Sequence, residues 1–259
     1  MNEIQFQNIL ACHTCKRHLI LNGKTGYCQI CKIRVKQIDG IWHSLKKLAS
    51  SSQSAKKAYE LIFTRKFGEP RDGSYEILAA IARGNRCVDI ACGTGTIEKL
   101  SPSTVGVDFS LTALKQAQKN GVRLLVLADV HALPFKDNAF EVAISAGNLE
   151  HFDNPRLAMS EMARVSNMQV LIVHRFPPIP FAKVLYKLAT KLFHIQHQPI
   201  EHPFTMNELD FLLSSNKLHA VFKGVWSLPF NYGRVIKWLP ELNIFPSAWF
   251  ILSIKNNFS

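Results

Sequence analysis

The sequence predicts an α/β protein: a parallel sheet covered by helices on both faces, with a small cysteine-rich module in front of it. From residue 86 onward, short β-rich runs alternate with helical stretches at the spacing of βαβ units. Four of the six cysteines fall in two closely spaced pairs near the N-terminus. The 259 residues are 47% hydrophobic and 19% charged, which excludes a disordered chain, a collagen-like repeat or a long coiled coil.

The first element is the cysteine module. Its two pairs have the spacing CxxC, and together they can close a tetrahedral zinc site: Cys12, Cys15, Cys28 and Cys31. The segment is too short to bury much apolar surface, so a metal would account for its folding. Four protein ligands predict a structural rather than a catalytic Zn²⁺, while disulfides or unpaired thiols are the alternative. Cys87 and Cys92 lie in an apolar strand and the turn after it, where packing or pocket lining is expected.

A polar stretch at 50–54 indicates a linker, so we expect a zinc module over 1–48 and a second domain over 49–259. Helical spacing of apolar residues predicts two covering helices, at 55–67 and 74–82. Both precede the first strand of the sheet.

The alternating region supplies the sheet. Strands are predicted at 86–91, 104–108, 122–128, 140–146 and 168–174, and helices at 95–100, 110–120 and 154–165. Ligands of such sheets bind beyond the carboxyl ends of the strands. The loops at 91–95, 108–110, 129–135 and 146–152 should therefore face one site.

The loop after the first predicted strand contains Gly93 and Gly95, which permit a tight turn and a close backbone approach to a ligand. The next strand ends in Asp108, an acceptor for both ribose hydroxyls. A dinucleotide-binding loop usually has a third glycine, here at position 98. This chain has Glu98 there, whose carboxylate would be poorly placed against a pyrophosphate. The loop thus suits a nucleoside without phosphates, such as S-adenosylmethionine.

Four segments in this order resemble the core of class I S-adenosylmethionine-dependent methyltransferases, especially the group with quinone- and small-molecule-modifying members: VDIACGTGT, VGVDFS, ADVHALPFKDNAFEVAIS and NLEHFDNP. The resemblance covers residues 86–165 and implies a Rossmann-like, seven-stranded mixed sheet, completed by β-rich runs at 217–226 and 247–255. It also implies the cofactor residues, which hold the methionine part, the ribose and the adenine: Asp89, Ala91, Gly93, Thr94, Gly95, Asp108, Phe109, Asp129, Val130 and Ala146.

Residues 9–45 are similar to the zinc ribbons found in front of some methyltransferases, including ribosomal RNA guanine methyltransferases, and in methyltransferase-activating partner proteins. Lys16 and Lys32 follow the cysteine pairs where many such knuckles have glycine. A second departure precedes the fifth strand, where the family often has Pro-Gly-Gly and Asn167 is the expected left-handed residue.

The stretch 175–204 is expected to form a substrate lid. Its apolar residues share one helical face, and Lys183, Lys187 and Lys191 recur at four-residue intervals on another face. This basic amphipathic helix packs on its own domain, covers a greasy substrate, or touches a membrane or nucleic acid.

Two loop histidines, His151 and His202, are candidate general bases, although methyl transfer from a sulfonium needs little beyond proximity and in-line orientation. Hydrogen-bonding or capping roles are the alternative. Thr205 and Glu208 form a capping-box pattern that explains part of the neighbouring sequence by helix initiation.

The charge distribution leaves the acceptor open. Residues 1–70 carry 12 basic and 4 acidic residues, and the whole chain has a net charge of +12. Such a field suits RNA or an anionic membrane surface, or is a solvated face. The reading we favour is a methyltransferase for a small-molecule or lipid-like acceptor; the alternatives are a ribosomal or transfer RNA methyltransferase and a non-catalytic partner module. Without a signal peptide or an 18-residue apolar run, a cytoplasmic protein is expected, with peripheral membrane contact left open.

Overall fold

The structure is a computed structural model that describes residues 2–45, 57–61, 73–175, 202–226 and 248–256, together with residues 63, 181, 184 and 188. The predicted linker at 50–54 and most of the predicted lid helix lie outside the described residues.

The described strands form a single mixed sheet in the order β1-β2-β3-β4-β7-β6-β5-β8-β9-β11-β10. The first four belong to the cysteine module: β1 (Ile20–Asn22), β2 (Thr25–Tyr27), β3 (Arg34–Ile38) and β4 (Ile41–His43). The centre is parallel: β5 (Cys87–Ile90), β6 (Val105–Asp108), β7 (Leu125–Leu127), β8 (Phe140–Ala146) and β9 (Ser166–His174). An antiparallel pair completes it: β10 (Leu218–Trp226) and β11 (Ala248–Lys255).

Five helices lie at predicted places: α2 (Ser74–Ala82), α3 (Thr96–Leu100), α4 (Leu111–Lys119), α5 (Pro155–Val165) and α6 (Met206–Ser215). A further helix, α1 (Glu3–Ile9), was not predicted. Residues 57–61 are helical as well, within the helix predicted at 55–67. The expected capping box starts α6, with Glu208 N–H donating to the Thr205 hydroxyl and the Glu208 carboxylate accepting from Thr205 N–H. Among the described helices, none is long and apolar enough to cross a membrane.

The predicted number of strands was wrong for the chain as a whole. Strands β5 to β11 are the expected seven, but the described sheet has eleven because the cysteine module continues it. Strand β4 pairs in parallel with β7, and Ile41, Trp42 and His43 lie opposite Leu125, Val126 and Leu127. The edge strand β7 of the seven-stranded part is thereby covered.

The module and the sheet also share a hydrophobic core. Phe6, Leu19 and Trp42 are almost fully buried and belong to the same cluster as Val107 and Phe135 of the larger part. Backbone hydrogen bonds extend this contact, from Ala11 N–H to the Pro134 carbonyl (2.8 Å) and from Lys136 N–H to the Ile9 carbonyl (3.0 Å). The module is therefore built into the structure of the sheet.

The left-handed turn expected at Asn167 was also wrong. Helix α5 ends at Val165, and β9 begins at the next residue without an intervening turn. Ser166 makes this possible, because its backbone is already extended (φ −134°, ψ 160°) and its hydroxyl donates to the Met162 carbonyl (2.8 Å). The helix end is satisfied by this side chain instead of by a left-handed residue.

Candidate functional site

Two cavities adjoin at the carboxyl ends of the parallel strands, and both are lined by Ala91. One, called the larger cavity for its slightly greater empty space of about 530 Å³, part of it open to solvent, lies over the ends of β6 and β7. The smaller holds about 500 Å³ and lies over the glycine turn that follows β5. The position agrees with the expectation that the loops after the strands face one site.

The predicted cofactor residues divide between these cavities. Lining the larger one are Asp108, Phe109, Asp129 and Val130. Lining the smaller one are Asp89, Gly93, Thr94 and Ala146. Gly95 lines neither cavity; a Cβ there would lie 2.7 Å from the Val122 side chain and 2.9 Å from that of Ala117, so close helix packing explains this glycine.

Asp108 stands at the end of β6, where its carboxylate is held by the backbone. Oδ2 accepts from Gly93 N–H (2.9 Å) and Oδ1 from Ser110 N–H (2.8 Å). Burial raises the pKa of Asp108 to about 6, although these N–H donors favour the charged form. Each carboxylate oxygen has a further acceptor site, so the fixed group can still receive two hydroxyl hydrogens.

Asp89 lies at the other cavity and faces a second buried acid, Glu98. The Asp89 side chain is nearly fully buried, and its Oδ1 has no hydrogen-bond partner among the described residues. Burial and the neighbouring Glu98 raise the pKa of Asp89 well above its usual value, and burial raises the pKa of Glu98 to about 8. A cation placed beside Asp89 would favour its charged form.

The adenine end predicted at Asp129 contains a histidine between two carboxylates. His131 Nδ1 lies 2.7 Å from Asp129 Oδ1, and its Nε2 lies 3.2 Å from Asp153 Oδ1. Burial opposes the charged form of His131, but the hydrogen bond and charge of Asp129 prevail and raise its pKa. His131 and Asp153 both line the larger cavity.

The two candidate bases lie in different surroundings. His151 is buried and lines the larger cavity, whereas His202 is exposed. His202 is joined to the site through its backbone, since its N–H donates to the Glu150 carbonyl (3.0 Å). The structure also brings Glu150 and His174 beside His151, a grouping that sequence analysis missed.

Further residues of the cavities were missed. Tyr59 lines the larger cavity and its ring centroid lies 5.7 Å from that of Phe109. Glu60 anchors this segment by accepting from the N–H groups of Leu111 (3.0 Å) and Thr112 (3.2 Å) at the start of α4. Both belong to a predicted helix, but no local pattern indicated that its side chains reach the site.

The four cysteines of the module come together as expected. Their sulfur atoms all lie within 4.8 Å of one another, and Cys15 Sγ is 3.5 Å from Cys28 Sγ. Zn–S bonds of about 2.3 Å at tetrahedral angles would separate the sulfurs by about 3.8 Å. The N–H of Cys31 donates to Cys28 Sγ and lowers the pKa of Cys28 to about 7. Cys87 and Cys92 are buried, as predicted, and Cys92 lines the smaller cavity.

Comparison with known proteins identifies the central part of the chain. Residues 88–173 match the family model described as a methyltransferase domain. The chain is 34% identical to a demethylmenaquinone methyltransferase of Renibacterium salmoninarum, over 32% of this chain and 37% of that protein. It is 36% identical to a human protein named probable tRNA methyltransferase 9B, over 32% of this chain and 19% of that protein. The chain therefore spans well under half the length of these relatives.

A solved structure shares the fold. It is described as the complex between the Haloferax volcanii Trm112 methyltransferase activator and a putative methyltransferase. The match has a TM-score of 0.62 and 14% identity, and it covers 79% of this chain and 99% of the other. These findings show that residues 88–173 match a methyltransferase domain and that the chain has the Rossmann-like α/β fold of the solved structure.

Proposed function

We propose that the protein is an S-adenosylmethionine-dependent methyltransferase. The observation that carries this proposal is the pair of cavities that meet at Ala91, with Asp108 in one and the unpartnered Asp89 oxygen in the other. A ligand with a ribose at one end and an ammonium at the other would satisfy both acids. The matched methyltransferase domain supports the same reading.

The residues would divide the cofactor between them. Asp108 would accept from the ribose hydroxyls, Asp129 and Val130 would border the adenine, and Asp89 with Gly93 would hold the amino-acid end. The bound cofactor supplies an electrophilic methyl group. The protein's part is to orient that methyl towards an acceptor, and His151, at the cavity wall, is placed to hydrogen-bond with the acceptor or take its proton.

Calorimetric titration with S-adenosylmethionine tests this proposal. Asp108→Ala should weaken binding by about 1.5–3 kcal/mol, because the ribose loses a charged hydrogen-bond acceptor. Glu76→Ala, which removes an exposed carboxylate from α2, is the control and should bind like the original protein. Unchanged affinity in Asp108→Ala would contradict the assignment.

We also propose that residues 1–48 form a zinc ribbon in which Cys12, Cys15, Cys28 and Cys31 hold one structural Zn²⁺. The separation of the four sulfurs supports this site. With four protein ligands it would have no open position for catalysis.

The acceptor we propose is a small molecule or a lipid-like compound. The larger cavity has mostly apolar walls, and one relative is named a demethylmenaquinone methyltransferase. Three apolar residues of the predicted lid helix are exposed, which fits a cover over an apolar substrate: Phe181, Val184 and Leu188.

RNA is the second candidate acceptor. The observation in its favour is a set of exposed cations on the ribbon: Arg17, Lys24, Lys32, Arg34 and Lys36. Another relative is named a probable tRNA methyltransferase. A non-catalytic module that only binds cofactor is the third candidate, and tight cofactor binding without any methyl transfer would identify it.

A further inference from the structure

We propose that Glu150, His151 and His174 form a second metal site, which binds a divalent transition-metal ion at the edge of the larger cavity. The three residues come from the turn after β8 and from the carboxyl end of β9. One ligand atom of each lies within 4.8 Å of the others. Two imidazoles and a carboxylate are a donor set that suits Zn²⁺ and other first-row divalent ions.

The distances between the donor atoms fit such an ion. Glu150 Oε1 lies 3.0 Å from His174 Nδ1 and 3.9 Å from His151 Nε2. In a tetrahedral site with bonds of about 2.0–2.1 Å, two donor atoms are about 3.3–3.4 Å apart. These two separations lie on either side of that value, and the donor atoms of His151 and His174 lie within 4.8 Å of each other, so side-chain shifts would bring all three donors onto one ion.

Glu150 itself provides an independent observation. Its side chain is completely buried, and its Oε2 has no hydrogen-bond partner among the described residues. An unsatisfied buried carboxylate oxygen is costly unless a cation or a hydrogen-bond donor compensates it. The His174 contact and the His174 N–H (3.1 Å) both use Oε1, so they leave this cost in place; an ion bound by both carboxylate oxygens, Oε1 and Oε2, would remove it.

The backbone holds the three residues in position. Glu150 and His151 belong to a 3-10 turn, Leu149–His151, which begins at Asn148. The Asn148 side-chain amide donates to the Ile90 and Ala91 carbonyls, both at 3.2 Å, and so fixes the turn to the end of β5. His174 is fixed by the pairing of β9 with β11, in which it lies opposite Ala248. Such support is what a metal site requires.

The metal site lies where it could contact a molecule bound in the larger cavity. Three protein ligands leave at least one coordination position for a water or for an oxygen of another molecule. His151 belongs both to this cluster and to the wall of the larger cavity, so an acceptor with a hydroxyl or carboxylate oxygen could reach the ion. This last step rests on the proposed methyltransferase function, whereas metal binding itself does not.

Cobalt titration of the full-length, metal-depleted protein tests the proposal, because Co²⁺ reports its ligands by absorption. The ribbon should give thiolate-to-cobalt charge-transfer bands, and the second site should give only ligand-field bands. His174→Ala and Glu150→Gln should each lower the affinity of the second site for Co²⁺ by at least about 100-fold, because losing a ligand costs more affinity than changing a residue that only supports a ligand. Their thiolate signal should stay.

Two variants are the controls. His202→Ala removes a nearby exposed histidine that is outside the cluster, and both signals should be retained. Cys28→Ser should alter the thiolate bands alone; if it unfolds the protein, the His174→Ala comparison still decides. S-adenosylmethionine affinity is measured in every sample to separate failure of this site from failure of the proposed function.

The proposal is overturned if the original protein shows no thiolate-independent cobalt signal, or if that signal survives both His174→Ala and Glu150→Gln. Glu150 and His174 would then be a hydrogen-bonded pair without a metal. Intact cofactor binding in that case would leave the methyltransferase proposal standing.

Discussion

Two lysines of the ribbon occupy backbone positions that favour glycine. Lys16 has φ 62° and Lys32 has φ 58°, each directly after a cysteine pair. Lys16 has a specific partner: its Nζ lies 2.7 Å from Glu161 Oε2, and Arg164 Nε binds Glu161 Oε1 at 2.8 Å. This network joins the ribbon to α5, which explains a lysine at a strained position. Lys32 is exposed, and the described structure gives it no such contact.

Glycine substitution should therefore act oppositely at these positions. Lys32→Gly should raise the free energy of unfolding by about 0.5–1 kcal/mol, because the left-handed strain exceeds the entropy that glycine adds to the unfolded chain. Lys16→Gly should lower the free energy of unfolding by about 1 kcal/mol. The relief of backbone strain is the same, but the loss of the charged hydrogen bond to Glu161 outweighs it. Denaturant unfolding of the zinc-loaded proteins measures both. Equal effects would show that the Glu161 contact contributes nothing.

The raised pKa of Asp108 predicts how cofactor binding should depend on pH. This pKa of about 6 in the folded protein exceeds the usual value of 3.8, so ionising Asp108 costs the folded state; this cost is complete above pH 6 and is lost as the pH falls from 6 to below 3.8. The ribose needs the ionised form. The contribution of Asp108 to the affinity for S-adenosylmethionine should be constant above pH 7 and fall about tenfold per pH unit well below 6. Calorimetry between pH 5 and 8 measures this. In Asp108→Asn, the part of the pH dependence of cofactor affinity that comes from Asp108 should disappear.

At the scale of elements, short stretches of sequence were enough to predict most strands and helices. Strands β5 to β11 were predicted from β-rich runs, the last two joined to the sheet by the family resemblance, and helix α2 from the helical spacing of apolar residues. The pairing of β4 with β7 could not be predicted, because residues 41–43 and 125–127 meet only in the folded sheet. Glu150 and His174 were missed for the same reason: they lie 24 residues apart and are joined by the pairing of β8 with β9.

The shared sheet makes the ribbon part of the stability of the whole chain. Ile38 and Ile41 are cross-strand partners, but Ile38 is 47% exposed and Ile41, beside β7, is 1% exposed. Ile41→Ala should cost about 2–5 kcal/mol in the unfolding of the cofactor-binding part, and Ile38→Ala under about 1 kcal/mol. Thermal unfolding followed by loss of cofactor binding measures this. An Ile41→Ala protein whose cofactor-binding part melts normally would show that the ribbon is energetically separate.

Zinc removal should act on the same interface. If the four cysteines hold a metal, chelation or Cys28→Ser disorganises the ribbon, because metal binding and folding are coupled in such small modules. Strand β4 would then no longer cover β7. We expect a lower melting temperature for cofactor binding as well as for the ribbon, and elemental analysis of the untreated protein should find ribbon-bound zinc. A chelated protein that keeps its melting temperature would contradict this coupling.

At the scale of the whole molecule, the positive charge of the ribbon distinguishes the two candidate acceptors. RNA binding releases counterions as phosphates are neutralised, so its affinity falls steeply with salt, whereas a small apolar acceptor depends little on salt. Three exposed ribbon lysines carry no ion pair in the described structure and can be neutralised together: Lys24, Lys32 and Lys36. A matched control set lies on exposed positions of the larger part: Lys99, Lys115 and Lys119.

The test is methyl transfer from labelled S-adenosylmethionine into the RNA, lipid and small-molecule fractions of an extract from cells lacking the gene. We expect label in the lipid or small-molecule fraction, with little loss at high salt and none when the ribbon lysines are changed to glutamine. If RNA is the acceptor, label appears there instead. The slope of log affinity for RNA against log salt concentration should then become shallower by about 2–3 in the ribbon variant, because each lost phosphate contact removes about 0.7–0.9 from it. The slope should stay unchanged in the control variant.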